Sequence, residues 1–174
     1  MSAVGGTETL VLVALGSNLG DSRQNLLRAF RELQTFSHRP LRRSSLWRSS
    51  PVDCPPGSAP FVNAVAAFAA TAAETPERLL GALQRIEERF GRRPKVVRNE
   101  ARPLDLDLIA FGSELRTTDR LVLPHPRAHR RRFVLEPLAE IAPDCVLPLQ
   151  TKTVRQLLTE PRTDEVLVRM ADGD

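Results

Sequence analysis

The chain has no tyrosine, one tryptophan and only 5% aromatic residues in all. An RNA-binding sheet interleaves aromatics on neighbouring strands for base stacking, and this sequence has few to offer. Its two cysteines, Cys54 and Cys145, stand in proline-flanked stretches. They are too few for a disulfide framework and lack the spacing of a zinc site. No apolar run approaches the ~20 residues of a membrane span. Residues 1–9 lack the basic start of a secretory signal. They read as a flexible lead-in, and a cytoplasmic location is expected. No internal repeat or low-complexity segment occurs.

What is present suffices for one domain. The 174 residues are 41% hydrophobic and 26% charged, with a net charge of +4. That length supports a sizeable core. Charge placement matters more than charge size. Arg92, Arg93, Lys95, Arg98 and Arg102 fall together, and so do Arg127, Arg130, Arg131 and Arg132. Such clusters suit nucleic acid or a polyphosphate. Between them lies the stretch Leu104-Asp105-Leu106-Asp107-Leu108-Ile109-Ala110, which alternates like a β-strand. Leu104, Leu106, Leu108 and Ala110 are expected to face a core. Asp105, Asp107 and Ile109 share the other face. Carboxylates at i and i+2 lie roughly 7 Å apart along a strand. They can hold a hard cation such as Mg²⁺, which commonly takes one or two carboxylates plus substrate phosphates.

The remaining elements follow from periodicity. Residues 10–15 form an apolar strand ending in Gly16-Ser17-Asn18. Leu26, Leu27, Phe30 and Leu33 mark one face of a helix capped by Asp21 or Ser22. Residues 41–49 read as a strand, residues 50–60 as a proline-rich loop, and residues 61–70 as a strand interrupted by Asn63. Thr75-Pro76 opens a second helix, with Leu79, Leu80, Leu83, Ile86 and Phe90 inward and Gly91 at its end. Short strands are expected near Leu115 and at residues 121–123. Phe133, Leu135, Leu138 and Ile141 suggest a helix whose regularity Pro137 should disturb. Thr153 to Gln156 resembles a capping box, and residues 166–168 a last strand. This order points to a single α+β domain, a ferredoxin-like sandwich with helices packed on an antiparallel sheet. Residues 10–148 are its core and 149–174 a C-terminal extension.

Arg98-x-x-Ala101-Arg102-x-x-Asp105-Leu106-Asp107-Leu108-Ile109, Ala14-Leu15-Gly16-Ser17-Asn18-Leu19, Phe61-Val62-Asn63-Ala64, Gln84-Arg85-Ile86-Glu87 and Leu123-Pro124-His125 with Arg131-x-Phe133 occur in one order. Together they resemble the 6-hydroxymethyl-7,8-dihydropterin pyrophosphokinases of folate biosynthesis. The resemblance implies transfer of the terminal pyrophosphoryl group of ATP, the co-substrate, to the pterin hydroxymethyl oxygen, with AMP leaving. It implies two Mg²⁺ ions on Asp105 and Asp107, with Asp107 a candidate proton acceptor. Arg92 and Arg102 match catalytic arginines. Gln84, Glu87, Leu108, Arg120, His125 and Arg131, with Arg92 and Arg102, match ATP-binding positions. Ser49, Val52, Phe61, Asn63, Asp105 and Phe133 match the pterin site, where two aromatic walls would hold the ring and an amide would read its edge. The chain departs from the family pattern at Pro94, Asn99, Glu100 and Phe61. The partners implied are small molecules, with no nucleic acid or membrane, acting on a monomer. Rival readings are a basic nucleic-acid-binding module and another Asp-x-Asp transferase. Arg93, Arg127, Arg130 and Arg132 read as solvated charges.

Overall fold

In the computed structural model, residues 8–51, 54–93, 100–160 and 165–171 are described. The first strand, β1 (Thr9–Ser17), is an interior strand of an antiparallel sheet, one in from its edge. Its unbroken apolar run is explained by burial on both faces, since Val11, Val13 and Leu15 enter one core and Leu12 and Ala14 another. Helix α1 (Ser22–Gln34) follows, its first turn capped by Asp21, whose carboxylate accepts from Gln24 N. The expected strand at 41–49 divides into β2 (Arg42–Arg43) and β3 (Trp47–Ser49). Strand β4 (Phe61–Ala70) pairs with β1 along its whole length.

Helix α2 (Pro76–Arg89) is capped by Thr75 and leads to Gly91, whose φ of +91° suits glycine. Strand β5 (Asp105–Phe111) pairs with the free side of β1. A two-stranded ribbon, β6 (Arg116–Thr117) and β7 (Val122–Leu123), then leads to a 3₁₀ turn at Ala128–Arg130. Helix α3 (Arg132–Ile141) runs through Pro137 without a break. Its apolar side is buried against the sheet, and that packing outweighs a local proline cost of about 3 kcal/mol. Phe133 and Ile141 are only partly buried, while Val134 and Leu135 are fully so. Helix α4 (Val154–Leu158) carries the expected capping box, and β8 (Leu167–Arg169) pairs with β3.

The sheet order is β5-β1-β4-β3-β8, with β2 also on β4. Helices lie on both faces. Leu26, Phe30 and Leu33 of α1 and Leu79, Leu83 and Ile86 of α2 pack with Leu104, Leu106 and Leu108 in one core. Val134, Leu135 and Leu138 of α3 and Val154 and Leu157 of α4 cover the other face. The expected alternation of β5 needs one correction. The register with β1 shifts between Leu12 and Val13, opposite Ala110 and Leu108. This bulge leaves Ile109 as an extra residue and flips the strand beyond it. Ala110 therefore packs with Ile109 under α3, away from the three leucines.

Candidate functional site

The α3–α4 layer covers only part of its sheet face. Under it the strands present Leu12, Ala14, Val65, Ala67 and Ile109. Beyond it the same face turns polar. Cross-strand register aligns Asn63 of β4 with Gly16 of β1, and Gly16 with Asp105 of β5. A Cβ on Gly16 would lie 3.5 Å from Asn63 Oδ1, 3.8 Å from Phe61 Cδ1 and 3.9 Å from Asp105 Cβ. Glycine here keeps the floor low between an amide, an aromatic ring and a carboxylate. Period-two geometry adds Phe61 beside Asn63, and Asp107 beside Asp105. An open cavity of about 500 Å³ lies over these residues.

Of the residues singled out in sequence, Ser49, Phe61, Asn63, Gln84, Glu87, Arg92, Arg102, Asp105, Asp107, His125, Arg131 and Phe133 line this cavity. Three do not. Val52 lies outside the described residues, as do Pro94 and Asn99. The Leu108 side chain is 4% exposed in the core, so only its main chain can face a ligand. Arg120 is exposed in the β6–β7 turn, away from the cavity.

One wall is acidic and internally bonded. The Glu87 carboxylate accepts from Leu106 N at 2.7 Å and from Arg92 Nη1. The same Arg92 nitrogen donates to Asp105 Oδ1 at 2.8 Å. Glu87 is thus committed to the edge of β5 and to Arg92. Burial pushes its pKa up to about 7, although the Leu106 N–H and Arg92 oppose the shift. Asp107, enclosed and beside Asp105, is pushed up to about 6 by burial first and by that neighbouring charge second. Arg102 Nε lies 3.5 Å from Asp105 Oδ2, an ion pair too long for a hydrogen bond, and has no hydrogen-bond partner. Its guanidinium carbon is 5.7 Å from the centre of the Phe61 ring.

The facing wall is basic. His125 N donates to Ile109 O at 2.9 Å, which fastens the corner to the outer edge of β5. Its Nδ1 accepts from Arg127 N at 3.2 Å. Burial, then Arg131 and Arg127, lower the imidazole pKa to about 4. A neutral ring whose Nδ1 accepts carries its proton on Nε2. Arg131 stands 5.3 Å from the Phe133 ring centre, and burial and Arg127 lower its pKa.

Two loops bordering the cavity share one clamp. Asn18, 5% exposed, accepts from Arg102 N through Oδ1 at 2.9 Å, and its own N–H donates to Arg102 O at 3.1 Å. Its Nδ2 reaches Ala59 O in the proline-rich loop at 3.4 Å. Asn63 Nδ2 donates to Ser49 Oγ at 2.7 Å, which leaves the amide oxygen toward Gly16.

The cavity also contains Arg127, Arg130, Cys54 and Glu165, which sequence reasoning did not select. The two arginines were visible as part of a charge cluster, and they stay exposed at the rim of the open cavity. Glu165 had no local signal at all. Among the described residues no group of three or more His, Cys, Asp or Glu side chains could form a closed metal cage. The Asp105–Asp107 pair has the hard oxygen donors and the open side that suit Mg²⁺ shared with a phosphate ligand.

Comparison with known proteins agrees with this architecture. The family model "7,8-dihydro-6-hydroxymethylpterin-pyrophosphokinase (HPPK)" matches residues 12–143. The chain is 43% identical over 142 residues to the 2-amino-4-hydroxy-6-hydroxymethyldihydropteridine pyrophosphokinase of Pseudomonas aeruginosa, covering 79% of this chain and 83% of that one. It is 39% identical over 148 residues to the protein of that name from Haemophilus influenzae, covering 83% and 90%. Among solved structures, Plasmodium falciparum HPPK-DHPS with pterin and p-hydroxybenzoate has a similar fold, with a TM-score of 0.64 at 12% identity. That match covers 89% of this chain and 43% of the other, so this chain spans less than half of the larger protein.

Proposed function

Because the chain belongs to the 7,8-dihydro-6-hydroxymethylpterin-pyrophosphokinase family, we propose that it transfers the terminal pyrophosphoryl group of ATP to 6-hydroxymethyl-7,8-dihydropterin and releases AMP. The step belongs to folate biosynthesis. The observation that carries the reading is the row Asn63, Gly16, Asp105 on one sheet face. It lines up an amide and an aromatic ring with a carboxylate pair across the low floor at Gly16, with a basic wall lining the same cavity.

Each part has a task in this chemistry. Phe61 and Phe133 would flank the flat pterin, and Asn63 would pair with its edge through the amide oxygen left open by Ser49. Asp105 and Asp107 would hold Mg²⁺, which when bound supplies Lewis-acid neutralisation of phosphate charge. Arg102, whose Nε lacks an acceptor, and Arg131 would donate to phosphate oxygens. His125 would donate through Nε2–H as a neutral ring. Arg92 must let go of Asp105 before it can reach a phosphate. Most of the acceleration would come from positioning and charge stabilisation. Asp107, which burial favours as a proton carrier in the metal-free site, would be the candidate to take the hydroxyl proton through an oxygen the metal leaves open.

Product analysis tests the reading. With ATP, Mg²⁺ and the hydroxymethyl dihydropterin, AMP should form only when the pterin is present. Asp105→Ala and Asp107→Ala should each lower turnover by about a thousand-fold or more, beyond the loss of a single transition-state donor. Formation of ADP in place of AMP would overturn attack at the β-phosphorus.

A further inference from the structure

Arg102 stands just outside β5, which begins at Asp105. Its side chain lines the cavity but is loosely held. Nε lies 3.5 Å from Asp105 Oδ2 and is enclosed without a hydrogen-bond partner, and the guanidinium carbon is 5.7 Å from the Phe61 ring centre. Neither contact is a hydrogen bond, so neither fixes the fork. The main chain of Arg102 is held closely, and one residue holds it. Asn18 Oδ1 accepts from Arg102 N at 2.9 Å, and Asn18 N donates to Arg102 O at 3.1 Å. Both main-chain polar groups of Arg102 are thus answered outside the sheet, next to Pro103, which has no N–H to offer. Asn18 is itself braced. It is 5% exposed, in the turn between β1 and α1. Ser17 Oγ bonds Ser22 Oγ at 3.1 Å on one side of it, and Asn25 Nδ2 donates to Leu19 O at 3.2 Å on the other. Its own Nδ2 reaches Ala59 O at 3.4 Å, two residues before Phe61. The orientation of the amide follows, since only its oxygen can accept from Arg102 N.

We propose that Asn18 is a positioning residue for Arg102, fixing the main chain from which the guanidinium reaches between Phe61 and Asp105. The proposal rests on the reading of Arg102 as a donor to phosphate. Asn18 does not line the cavity, so it acts through Arg102 and touches no substrate. The Nε–H that lacks an acceptor is the group the clamp would present to a phosphate oxygen. A guanidinium fork rewards correct placement more than a point charge does, so a small shift of its main chain costs turnover. Through Ala59 the same amide relates the arginine to the loop that leads to Phe61, and the two sides of the site share one reference point. An aspartate at this position keeps the oxygen that accepts from Arg102 N and should retain the clamp.

The test uses the full chain with Asn18→Ala, Asn18→Asp, Arg102→Ala and the double variant Asn18→Ala with Arg102→Ala. Amide hydrogen exchange reads the clamp without reference to activity. The Arg102 amide should exchange at least about tenfold faster in Asn18→Ala and stay within about threefold of wild type in Asn18→Asp. Unchanged exchange in the alanine variant would overturn the clamp. Kinetics read the positioning. Asn18→Ala should lower kcat about thirtyfold, less than the loss of a direct donor, and Asn18→Asp should restore it to within about fivefold of wild type. In the Arg102→Ala background the same alanine substitution should cost less than about threefold, because the side chain it positions is gone. Equal losses in the two backgrounds would overturn the positioning role in favour of general loosening. Should Asn18→Ala not fold, Asn18→Ser, whose side chain ends short of the Oδ1 position, takes its place with the same expected ratios. If the wild-type protein forms no AMP, the proposed reaction fails. The affinity for ATP with Mg²⁺, measured by calorimetry across the same cycle, then replaces kcat, and additive losses would again overturn the role.

Discussion

The two walls of the cavity differ in how their charges are answered. On the α2–β5 side, Glu87, Arg92 and Asp105 form a closed set, bonded to one another and to the edge of the sheet. On the α3 side, Arg127, Arg130, Arg131 and His125 line the cavity, and the carboxylates acting on Arg131 are Asp107 and Asp105 across it and then Glu165. One wall is partly compensated from within, and Arg92 would have to move for a cation to reach Asp105. On the other, burial first and surplus positive charge second lower the pKa of His125 and Arg131. An anion bound between them would relieve the second wall, and a metal ion carried with that anion would replace Arg92 on the first. The asymmetry favours a metal-bound polyphosphate over either ion alone.

The largest way to break the comparison is to remove the centre of the basic wall. Arg131→Ala should lower kcat/KM for ATP by about a hundredfold, as expected for loss of a charge-assisted donor to phosphate. Arg131→Lys keeps the charge but loses the planar fork, so it should recover only part of the activity. Equal activity of the lysine variant and the wild type would show that Arg131 acts as a point charge alone. Steady-state kinetics with ATP varied at saturating pterin distinguish the cases.

A smaller effect is expected from opening the acidic wall. Arg92→Met leaves Glu87 and Asp105 without their shared cation. With side-chain exposures of 19% for Arg92 and 8% for Glu87, the loss should be about 1–3 kcal/mol, below that of a fully buried pair. Urea melts without metal measure it. Mg²⁺ should then stabilise the variant more than the wild type, because it no longer competes with a guanidinium for Asp105. An equal Mg²⁺ response in both proteins would show that Arg92 and the metal ion do not share a position.

The acidic wall was more legible in the sequence than the basic one, for a physical reason. Asp105 and Asp107 share a strand, and strand geometry fixes which residues share a face. Asn63 and Phe61 follow the same rule. The rule stopped at Ile109, because a bulge depends on the partner strand and leaves no trace in β5 alone. Arg127 and Arg130 read as solvated charges and are indeed exposed, but their place at the cavity rim follows from the short 3₁₀ turn they flank and end. Pro137 was expected to disturb a helix that tertiary packing keeps whole. Glu165 was invisible because its place depends on β8 pairing with β3, a contact between distant parts of the chain. Local pattern revealed the floor of the site, and long-range pairing supplied part of its rim.

The smallest effect sharpens the contrast between the walls through pH. His125 has a folded pKa of about 4, below its ordinary 6.5. The unfolded chain therefore binds more protons here between those values, and stability rises with pH across the window. Glu87 works the other way, with a folded pKa of about 7 against an ordinary 4.5. The folded chain binds more protons between those values, so this carboxyl makes stability fall as pH rises. Asp107, raised from 3.8 to about 6, adds to that fall. The two walls thus bring opposite slopes to overlapping ranges. In metal-free urea melts between pH 4.5 and 7, His125→Gln should give a stability that declines more steeply with rising pH than the wild type. Glu87→Gln should tilt the profile the opposite way. Parallel profiles for all three proteins would mean that the folded and unfolded chains bind these protons equally, and that the walls do not differ in the way their geometry indicates.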